Sequence, residues 1–457
     1  MRRDELAAWV HASDATALLP SRHSGEAGRI ALPFTLSDAT ELGAGLSLAV
    51  VRDAEGRHYP VPLAVTGPGW RRATSGDGAA LALVGLLGDG GDTRRGRFEA
   101  TRWHGPPLPG AAAERPVDVD QTNESVVVDE RVVVKWTVRS AGGPEAAPSR
   151  LADLVESGFT GMPRPWGLVR WHPEQTGRDA EPVLVATAVD YLRGAVDGWE
   201  WVVEDVRALA RGDLDLTGAA APAAALGALT AQMHLGLPTR GRAGPQDTAR
   251  WVRSARAELA DALAVVDGGE GARLRAHAGD LAQLVDRLGT AVDTPLIDTH
   301  GDLHVGQVLR WQPSGPQDDA DPARMPDGPA YAVTDFDGNP VLSPAERVAP
   351  APAAVDVAGL LQSLDHVGRV VVHRTDGVGP DVVEEWIAAA QSALLVAYRR
   401  ELAAADRSEL LDHLLLRPLR ARQVVREYLY AVRHLPHWRY VPHAALPSLF
   451  APSNAKR

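Results

Sequence analysis

The sequence predicts an α+β fold with a β-rich N-terminal part and a larger, helical C-terminal part. Over the first 110 residues, short apolar runs alternate with turns that contain Gly, Asp and Pro, which is typical of strands. From about residue 198, alanine-rich segments place apolar residues three and four positions apart, which is typical of helices. A compact β interruption at 297–311 and 330–342 separates two groups of these helices.

These patterns predict three domains, namely a β-rich cap at 1–110, an intermediate lobe at 111–197 and a helical lobe at 198–457. The first dozen residues of the cap are expected to form a short helix. The strands expected in the cap cover 30–36, 45–51, 59–65, 78–87 and 96–103. The Gly-rich segment 85–96 has no G-K-[ST] sequence, so a hairpin turn is favoured there over a phosphate loop.

The other two domains follow from the same patterns. In the intermediate lobe we expect a hairpin around Asp129 and Glu130, then a helix at 149–159 and two further strands. Those two strands cover 167–171 and 182–192. The helices expected in the C-terminal lobe cover 198–212, 223–237, 248–266, 272–289 and 353–371, with further helices to about 435. The Pro-, Asp- and Gly-rich stretch 314–329 is expected to be an exposed loop.

Composition excludes several classes of function. The formal net charge is −12, whereas a nucleic-acid-binding protein would need a basic face. The absence of cysteine excludes disulfides, thiolate catalysis and Cys-ligated zinc. Acidic residues interrupt the N-terminus where a signal peptide would be apolar, and no apolar run is long enough to span a membrane. We therefore expect a cytoplasmic protein that handles small metabolites, with no membrane or nucleic-acid partner, and we favour a monomer.

Two segments of the β interruption carry the chemistry. The first is H-G-D-L-H-V-G-Q at 300–307, and the second is D-F-D-G, which begins at Asp335. Phosphoryl transfer to a hydroxyl needs a carboxylate to accept the hydroxyl proton, Mg²⁺ ligands and a cation near the phosphates. Asp302 supplies the first of these groups. Gln307 and Asp335, brought together by a strand pair, supply oxygen ligands of the kind that Mg²⁺ prefers.

This pair of segments resembles the catalytic loop and metal segment of the protein-kinase-like fold as used by aminoglycoside phosphotransferases and maltokinases. In that family the loop reads H-G-D-x-x-x-x-N and the metal aspartate opens D-F-[DE]; maltokinase-like proteins share the form that ends in Gln, here Gln307. The resemblance implies a bilobal kinase-like fold and ATP as phosphoryl donor. The alternative is that the histidines are structural and the aspartates are turn residues. This interpretation explains each residue separately but not their joint spacing. For His300 alone the structural interpretation is favoured, with Asp356 supporting the loop.

The resemblance extends upstream to a nucleotide site. It implies that Lys135 pairs with the α- and β-phosphates, although a lysine at a strand end is more often a solvated charge. Small polar residues at 121–125, including Ser125, can form an anion-binding nest of backbone N–H groups. Backbone groups around Ala188 to Asp190 are expected to contact adenine.

The glutamate that pairs with this lysine in the family is not evident in the sequence. Glu145 lies too near the start of its segment, which leaves Asp153 or Glu156. Two tryptophans, Trp199 and Trp201, begin the helical lobe, and for both a core position is favoured over a ligand contact.

The acceptor site is predicted on the C-terminal helix. Gln423 and Glu427 are four residues apart and therefore share one helix face. An amphipathic surface helix would give the same pattern. In maltokinase-like proteins, however, a corresponding segment closes the acceptor pocket, so the resemblance implies that Gln423, Glu427 and Trp438 face the substrate.

Finer features indicate the substrate. The run D-T-H-G-D-L-H from Asp298, together with D-F-D-G-N-P, is similar to the actinobacterial glucosamine kinases, over about residues 115–450. The protonated amine of glucosamine suits carboxylates such as Asp298, Asp337 or Glu427. The expected reaction is therefore ATP-dependent phosphorylation of D-glucosamine at its 6-hydroxyl. The alternatives are a maltokinase that makes maltose 1-phosphate, an aminoglycoside phosphotransferase, and a catalytically silent binding module.

Overall fold

The computed structural model describes most of the chain. The described residues are 3–20, 30–43, 45–67, 69–88, 93–105, 108–109, 112–117, 124–140, 142–174, 181–313 and 329–450. They divide into two compact units. The first unit comprises Met1–Val155, Pro163–Arg193 and Pro340–Val348, and the second comprises Glu156–Met162, Gly194–Asn339 and Ala349–Arg457. The finer division of the chain at residues 110 and 197 stays a prediction.

The first unit contains two antiparallel sheets and their helices. Its strands are β1 (Thr35–Gly43), β2 (Leu46–Arg52), β3 (His58–Thr66), β4 (Gly69–Arg72), β5 (Thr93–Arg95), β6 (Phe98–Arg102), β7 (Glu114–Pro116), β8 (Glu124–Val128), β9 (Val132–Trp136), β10 (Pro165–Trp171) and β11 (Val183–Asp190). Its helices are α1 (Arg3–Ala12), α2 (Ala15–Leu18), α3 (Ala79–Gly88), α4 (Ala146–Glu156) and the short α10 (Pro344–Arg347). The expected N-terminal helix and the hairpin around Asp129 and Glu130 are confirmed.

The strands of the first unit form a meander and a larger sheet. Strands β1 to β4 lie in sequence order in a four-stranded sheet, whereas the seven-stranded sheet has the order β5-β6-β10-β11-β9-β8-β7. One core cluster joins the seven-stranded sheet to α3 and contains the buried Trp136, Trp166 and Trp171. A second cluster packs α1 and α2 against the meander around Phe34 and Tyr59. These two clusters hold the first unit together.

The strand predicted at 78–87 is wrong, because Ala79–Gly88 is the helix α3. The run is rich in Ala and Leu, which are strong helix formers, and its apolar residues lack the period-2 alternation of a half-buried strand. The hairpin turn predicted at 85–96 is therefore wrong at its start, where residues 85–88 end this helix. Residues 89–92 lie outside the described part of the chain, and the hairpin that follows pairs β5 with β6.

The second unit is largely helical. Its helices are α5 (Gly198–Arg211), α6 (Leu216–Gly236), α7 (Pro245–Val265), α8 (Gly268–Ala276), α9 (Ala278–Asp286), α11 (Ala354–Arg374), α12 (Pro380–Ala404), α13 (Leu416–His434) and α14 (Tyr440–Ala445). Helices α6 and α12 approach closely at Gly227, where a Cβ would lie 2.1 Å from the carbonyl oxygen of Leu394. Among the described helices, none is both long and apolar enough to cross a bilayer.

Two short hairpins lie among these helices. Strand β12 (Thr239–Arg242) pairs with β13 (Pro295–Ile297), and β14 (Val308–Trp311) pairs with β15 (Ala330–Val333), both antiparallel. The backbone N–H of Thr334 donates to the carbonyl of Gln307 at 2.8 Å, which extends the second pairing. The expected strand pair between the two motif segments is thereby confirmed, and most of the predicted 314–329 loop that joins its strands lies outside the described residues.

Candidate active site

A buried carboxylate holds the motif loop 300–307, which follows β13. Asp356, near the start of α11, accepts hydrogen bonds from the backbone N–H groups of His300 at 2.7 Å and Gly301 at 2.8 Å. Gly301 has a φ of 81°, a left-handed conformation that glycine adopts without cost. The predicted support of the loop by Asp356 is confirmed, and it acts through the backbone N–H groups of His300 and Gly301.

Asp356 is fully buried, yet it has partners enough to stay ionised. Burial by itself would raise its pKa, but the ring of His234 and the loop N–H groups outweigh this effect, so the pKa lies below its ordinary value. His234 Nε2 lies 3.0 Å from Asp356, and His234 Nδ1 lies 2.7 Å from the hydroxyl of Tyr398. His234 on α6 and Tyr398 on α12 therefore link these two helices to Asp356 on α11, next to the loop.

The ring of His300 fixes the loop from the other side. Its Nε2 lies 2.9 Å from the carbonyl oxygen of Thr334, which can only accept, so Nε2 carries the proton. Its Nδ1 then accepts from the backbone N–H of Asp302 at 3.3 Å. This tautomer ties the loop to the end of β15 and gives His300 the structural role expected from the sequence.

Asp302, the predicted proton acceptor, lies on this loop. Burial raises its pKa to about 7, with further contributions from the negative charges of Asp335 and Asp356 and an opposing one from Arg426. Nδ2 of Asn339 donates to Oδ1 of Asp302 at 3.0 Å, which orients the carboxylate. A carboxylate with a pKa close to neutrality is well matched to accepting a hydroxyl proton.

Gln307 and Asp335 meet beside this carboxylate at the end of the hairpin. Nε2 of Gln307 lies 3.4 Å from Oδ2 of Asp335, and rotation of the amide would present Oε1 instead. Asp335 has a φ of 65°, a left-handed conformation that is uncommon outside glycine and is often found at functional sites.

These two side chains fit a magnesium ion that also has other ligands. The described residues contain no cluster of three or more His, Cys, Asp or Glu side chains that could hold a metal. Mg²⁺ is commonly bound by one or two protein oxygens together with water and nucleotide phosphates. The pair is therefore suited to a cation that arrives with a nucleotide.

His304 and the aromatic residues around it form one wall of the loop. Burial and the neighbouring His300 lower the pKa of His304 to about 4, so its ring is neutral. Its Nδ1 accepts from the backbone N–H of Gly306 at 3.1 Å. The ring of Trp199 lies 6.0 Å from the His304 ring, and Trp438 meets Trp199 edge-on at 6.0 Å.

The predicted face of α13 exists. Nε2 of Gln423 donates to Oε1 of Glu427 at 3.1 Å, and Oε2 of Glu427 lies 2.8 Å from Nε2 of the buried His366. The backbone N–H of Val305 donates to Oγ of Ser363 on α11 at 3.0 Å, so α11 packs against the loop. Trp438 thus contacts Trp199 beside the loop, whereas contact of Gln423 and Glu427 with a substrate stays a prediction.

The two other candidate carboxylates differ in their surroundings. Asp298 accepts from Nε of Arg240 at 2.8 Å, so its charge already has a partner. Asp337 is partly buried directly after Phe336 in the D-F-D-G segment. Their contact with a substrate amine stays a prediction. Trp201 is buried, and its Nε1 donates to the carbonyl of Val308 at 3.1 Å, which confirms the core position favoured for it.

The candidate nucleotide residues lie on the seven-stranded sheet of the first unit. Lys135 of β9 is flanked by Ser125 of β8 and Thr187 of β11 in register. Ser125 is buried, as is Ala188 at the end of β11. Asp190 ends that strand, and its carboxylate accepts from Trp166 Nε1 at 2.6 Å and from Arg164. The backbone N–H of Asp190 also donates to the carbonyl of Arg164 at 2.9 Å, and contact of this residue with a nucleotide stays a prediction.

The glutamate partner of Lys135 stays a prediction. Glu145 precedes α4, and its carboxylate accepts from the backbone N–H of Leu184 and from the hydroxyl of Ser140. Asp153 and Glu156 both lie on α4, where Glu156 is exposed. The anion-binding nest predicted at 121–125 falls largely on residues 121–123, which lie outside the described part of the chain.

Several residues of the site were missed by sequence reasoning. In the sequence Asn339 stands out only as part of the D-F-D-G-N-P motif, and its bond to Asp302 depends on the turn that follows Asp335. His234 lies within an apolar helix, where no local motif marks it. A buried histidine there requires polar partners, and that requirement was the available signal. His366 and Gln362 lie on α11 in the same way and give the same signal.

A half-buried carboxylate beside a magnesium-type ligand pair supplies two of the groups that phosphoryl transfer to a hydroxyl needs, and the α+β fold that holds them is of the kinase-like phosphotransferase class. Over 447 residues the chain is 48% identical to a glucosamine kinase from Streptacidiphilus jiangxiensis, covering 96% of this chain and 97% of that protein. Over 428 residues it is 39% identical to a glucosamine kinase from Mycolicibacterium smegmatis, covering 90% and 97%. The chain belongs to the glucosamine kinase family.

Solved structures agree with this assignment. A glucosamine kinase in complex with glucosamine, ADP and inorganic phosphate is 46% identical, with a TM-score of 0.81 over 98% of this chain and 99% of that one. A second crystal form of a glucosamine kinase gives a TM-score of 0.83 at the same identity and coverage. No protein-family model matches the chain. The predicted α+β, kinase-like fold class and the resemblance to glucosamine kinases are confirmed.

Proposed function

We propose that this protein transfers the γ-phosphoryl group of ATP to the 6-hydroxyl of D-glucosamine, giving glucosamine 6-phosphate and ADP. The observation that carries the proposal is Asp302, a half-buried carboxylate whose pKa is raised to about 7 and which Asn339 orients. The glucosamine kinases that match nearly the whole chain support the choice of sugar.

In this mechanism Asp302 accepts the proton of the 6-hydroxyl as the oxygen attacks the γ-phosphorus, and ADP leaves with the electron pair of the broken P–O bond. Gln307 and Asp335 would hold Mg²⁺, which neutralises charge on the transferring phosphoryl group when it is bound. Lys135 would pair with the phosphates, with Ser125 near them, and backbone groups at Ala188 and Asp190 would contact adenine.

The amino group of the sugar would be recognised by carboxylates, because a charged donor forms a stronger hydrogen bond with a carboxylate than a neutral one does. Glu427 is the foremost candidate, with Gln423 beside it, and Asp298 and Asp337 are the others. Trp438 would pack against the sugar ring. The cytoplasmic location and the monomeric state stay predictions.

The proposal is tested by ADP release from purified protein with Mg²⁺–ATP and each of five acceptors. These are glucosamine, glucose, N-acetylglucosamine, maltose and kanamycin. We expect strong preference for glucosamine over glucose, with phosphorus NMR placing the phosphate on C6. Preferential use of maltose or kanamycin would keep the phosphotransfer chemistry but reject this substrate, and no ADP release with any acceptor would indicate a silent binding module.

A substitution connects that activity to the site. Asp302→Asn should lower kcat by about a hundredfold to ten-thousandfold, because the proton acceptor is lost while the shape is kept. The matched control is Asp293→Asn, at a carboxylate of the same unit that is 75% exposed. Near-normal turnover in Asp302→Asn would reject Asp302 as the base.

A further inference from the structure

A row of buried polar side chains lies behind Glu427, on α11 and α13. Nε of Arg420 donates to Oε1 of Gln362 at 3.1 Å. Nε2 of Gln362 lies 2.9 Å from Nε2 of His366, which in turn lies 2.8 Å from Oε2 of Glu427. Gln362 and His366 are both almost completely buried. The proposed reaction uses Glu427 but none of the three side chains behind it.

The direction of these hydrogen bonds follows from Arg420. Because a guanidinium can only donate, the oxygen of the Gln362 amide must face Arg420, and its NH₂ group must face His366. An NH₂ group is a donor, so the His366 Nε2 that it meets must be the unprotonated nitrogen of the ring. His366 Nε2 therefore has no proton to offer to Glu427.

With this tautomer of His366, one carboxylate oxygen of Glu427 has no donor in the described part of the chain. Its Oε1 accepts from Gln423, but its buried Oε2 has no hydrogen-bond partner among the described residues. A buried carboxylate oxygen without a donor is costly to leave unpaired, so a site that keeps one open favours a ligand that brings a donor. A protonated amine brings both a donor and the opposite charge.

We propose that Arg420, Gln362 and His366 form a specificity relay that keeps Glu427 Oε2 open for the amino group of the sugar. The inference rests on the proposed function and on the assignment of Glu427 to the amine. Without the Gln362 donor, the ring of His366 is free to carry its proton on Nε2, and a turn of the ring would let Nε2 donate to Glu427 Oε2, now 2.8 Å away. The substrate amine then has to compete with an internal bond. The three residues are positioning residues, since they act through Glu427.

The test is Gln362→Leu, which removes the amide donor and keeps much of the side-chain volume. We expect the KM for glucosamine to rise by about tenfold, the effect of one competing charged hydrogen bond. The kcat should change little, and the KM for glucose should stay the same, so the preference for glucosamine falls. A residue with a purely structural role would alter both sugars together.

The matched control is Gln391→Leu. Gln391 also contacts Arg420, at 3.5 Å, and its Nε2 donates to the carbonyl of Leu361. No bond joins Gln391 to His366 in the part of the chain that the structure describes. This variant should therefore keep the wild-type preference for glucosamine. Equal preferences in Gln362→Leu and Gln391→Leu would overturn the relay.

A second variant, His366→Phe, separates the relay from the opposite interpretation, in which His366 donates to Glu427 and holds it in place. Removal of an unprotonated nitrogen leaves Glu427 Oε2 open, so the glucosamine KM should stay close to the wild-type value. A rise equal to that of Gln362→Leu would overturn the proposal. Nitrogen NMR of the ring, assigned with this variant, should show Nε2 unprotonated in the wild type and protonated in Gln362→Leu.

The proposed function and the relay can fail separately. A wild-type protein without preference for glucosamine would reject the proposed function, and the relay with it. A wild-type preference that survives Glu427→Gln would reject the assignment of Glu427 to the amine. If both of those tests succeed and Gln362→Leu keeps its preference, only the relay is rejected.

Discussion

At the scale of single residues, the ionisation of Asp302 governs the proposed reaction. Only the carboxylate form can accept the hydroxyl proton, and burial raises the pKa of this group to about 7. Since the pKa is raised, the active form is lost as the pH falls through this value and is complete above it. The pH profile of kcat/KM should therefore have an acid limb, in which the rate falls as Asp302 becomes protonated.

Asn339 offers a way to move that limb. In Asn339→Asp a second carboxylate would stand at the place from which Nδ2 now donates to Asp302 at 3.0 Å. The like charge should raise the pKa of Asp302 further, so the acid limb of kcat/KM for glucosamine should shift to higher pH. The measurement is a pH–rate profile of both proteins.

Asn339→Ala provides the control for the lost hydrogen bond. It removes the donor without adding a charge. It should therefore lower kcat, but it should shift the acid limb less than Asn339→Asp does. If Asn339→Asp and Asn339→Ala gave the same limb as the wild type, Asp302 would not be the group that titrates there.

At the scale of elements, the start of α5 fixes the catalytic loop by close backbone contact. A Cβ on Gly198, the first residue of α5, would lie 1.8 Å from the carbonyl oxygen of Val305. A Cβ on Gly306 would lie 2.5 Å from Trp199. Asp197 caps the helix by accepting from the backbone N–H of Trp199 at 2.8 Å. The helix start and the loop therefore pack without room for a methyl group.

Gly198→Ala tests this contact. The added methyl group must push α5 and the loop apart, which should lower stability by about 1–3 kcal/mol and reduce kcat, because Asp302 and Gln307 lie on the displaced loop. Thermal melting and steady-state rates measure the two effects. The control is Gly279→Ala in α9, where the added Cβ would have no heavy atom of a neighbouring residue within 4 Å. That change should leave kcat unaltered and should not lower the Tm.

At the scale of the whole molecule, paired carboxylates make the stability depend on pH. Burial opposes ionisation of Glu258 on α7, but Arg422 and Arg426 of α13 outweigh it and lower its pKa to about 2. A pKa lowered in the folded state stabilises the protein above the ordinary value of 4.5 and loses this effect as the pH falls towards 2. At about 1.4 kcal/mol per pKa unit, the contribution at neutral pH is about 3 kcal/mol.

Glu258→Gln should therefore lower the stability at pH 7 by about 3 kcal/mol, and the difference from the wild type should fall to about half near pH 3. Melting curves at both pH values measure this. The control is Glu174→Gln, at a side chain that is 89% exposed, which should change little at either pH. A constant difference between Glu258→Gln and the wild type at both pH values would contradict the assigned pKa.

The sequence by itself determined the features that depend on neighbours along the chain. The motif segment 300–307 and Asp335 join through one antiparallel hairpin, so the proximity of Gln307 to Asp335 follows from local strand pairing. The shared face of Gln423 and Glu427 follows from the helical repeat. The strand predicted at 78–87 failed for a local reason too, because an unbroken apolar run fits a buried helix as well as a buried strand.

Only the tertiary structure decided which distant groups meet. His234 and Asp356 are 122 residues apart and bond beneath the loop, and nothing in either local pattern encodes the other. The same is true of Arg420 and Gln362, which are 58 residues apart. The pKa of Asp302 depends on burial and on charges from three other segments. Burial and long-range charge arise from packing, and for that reason a local pattern names the candidate base but not its ionisation.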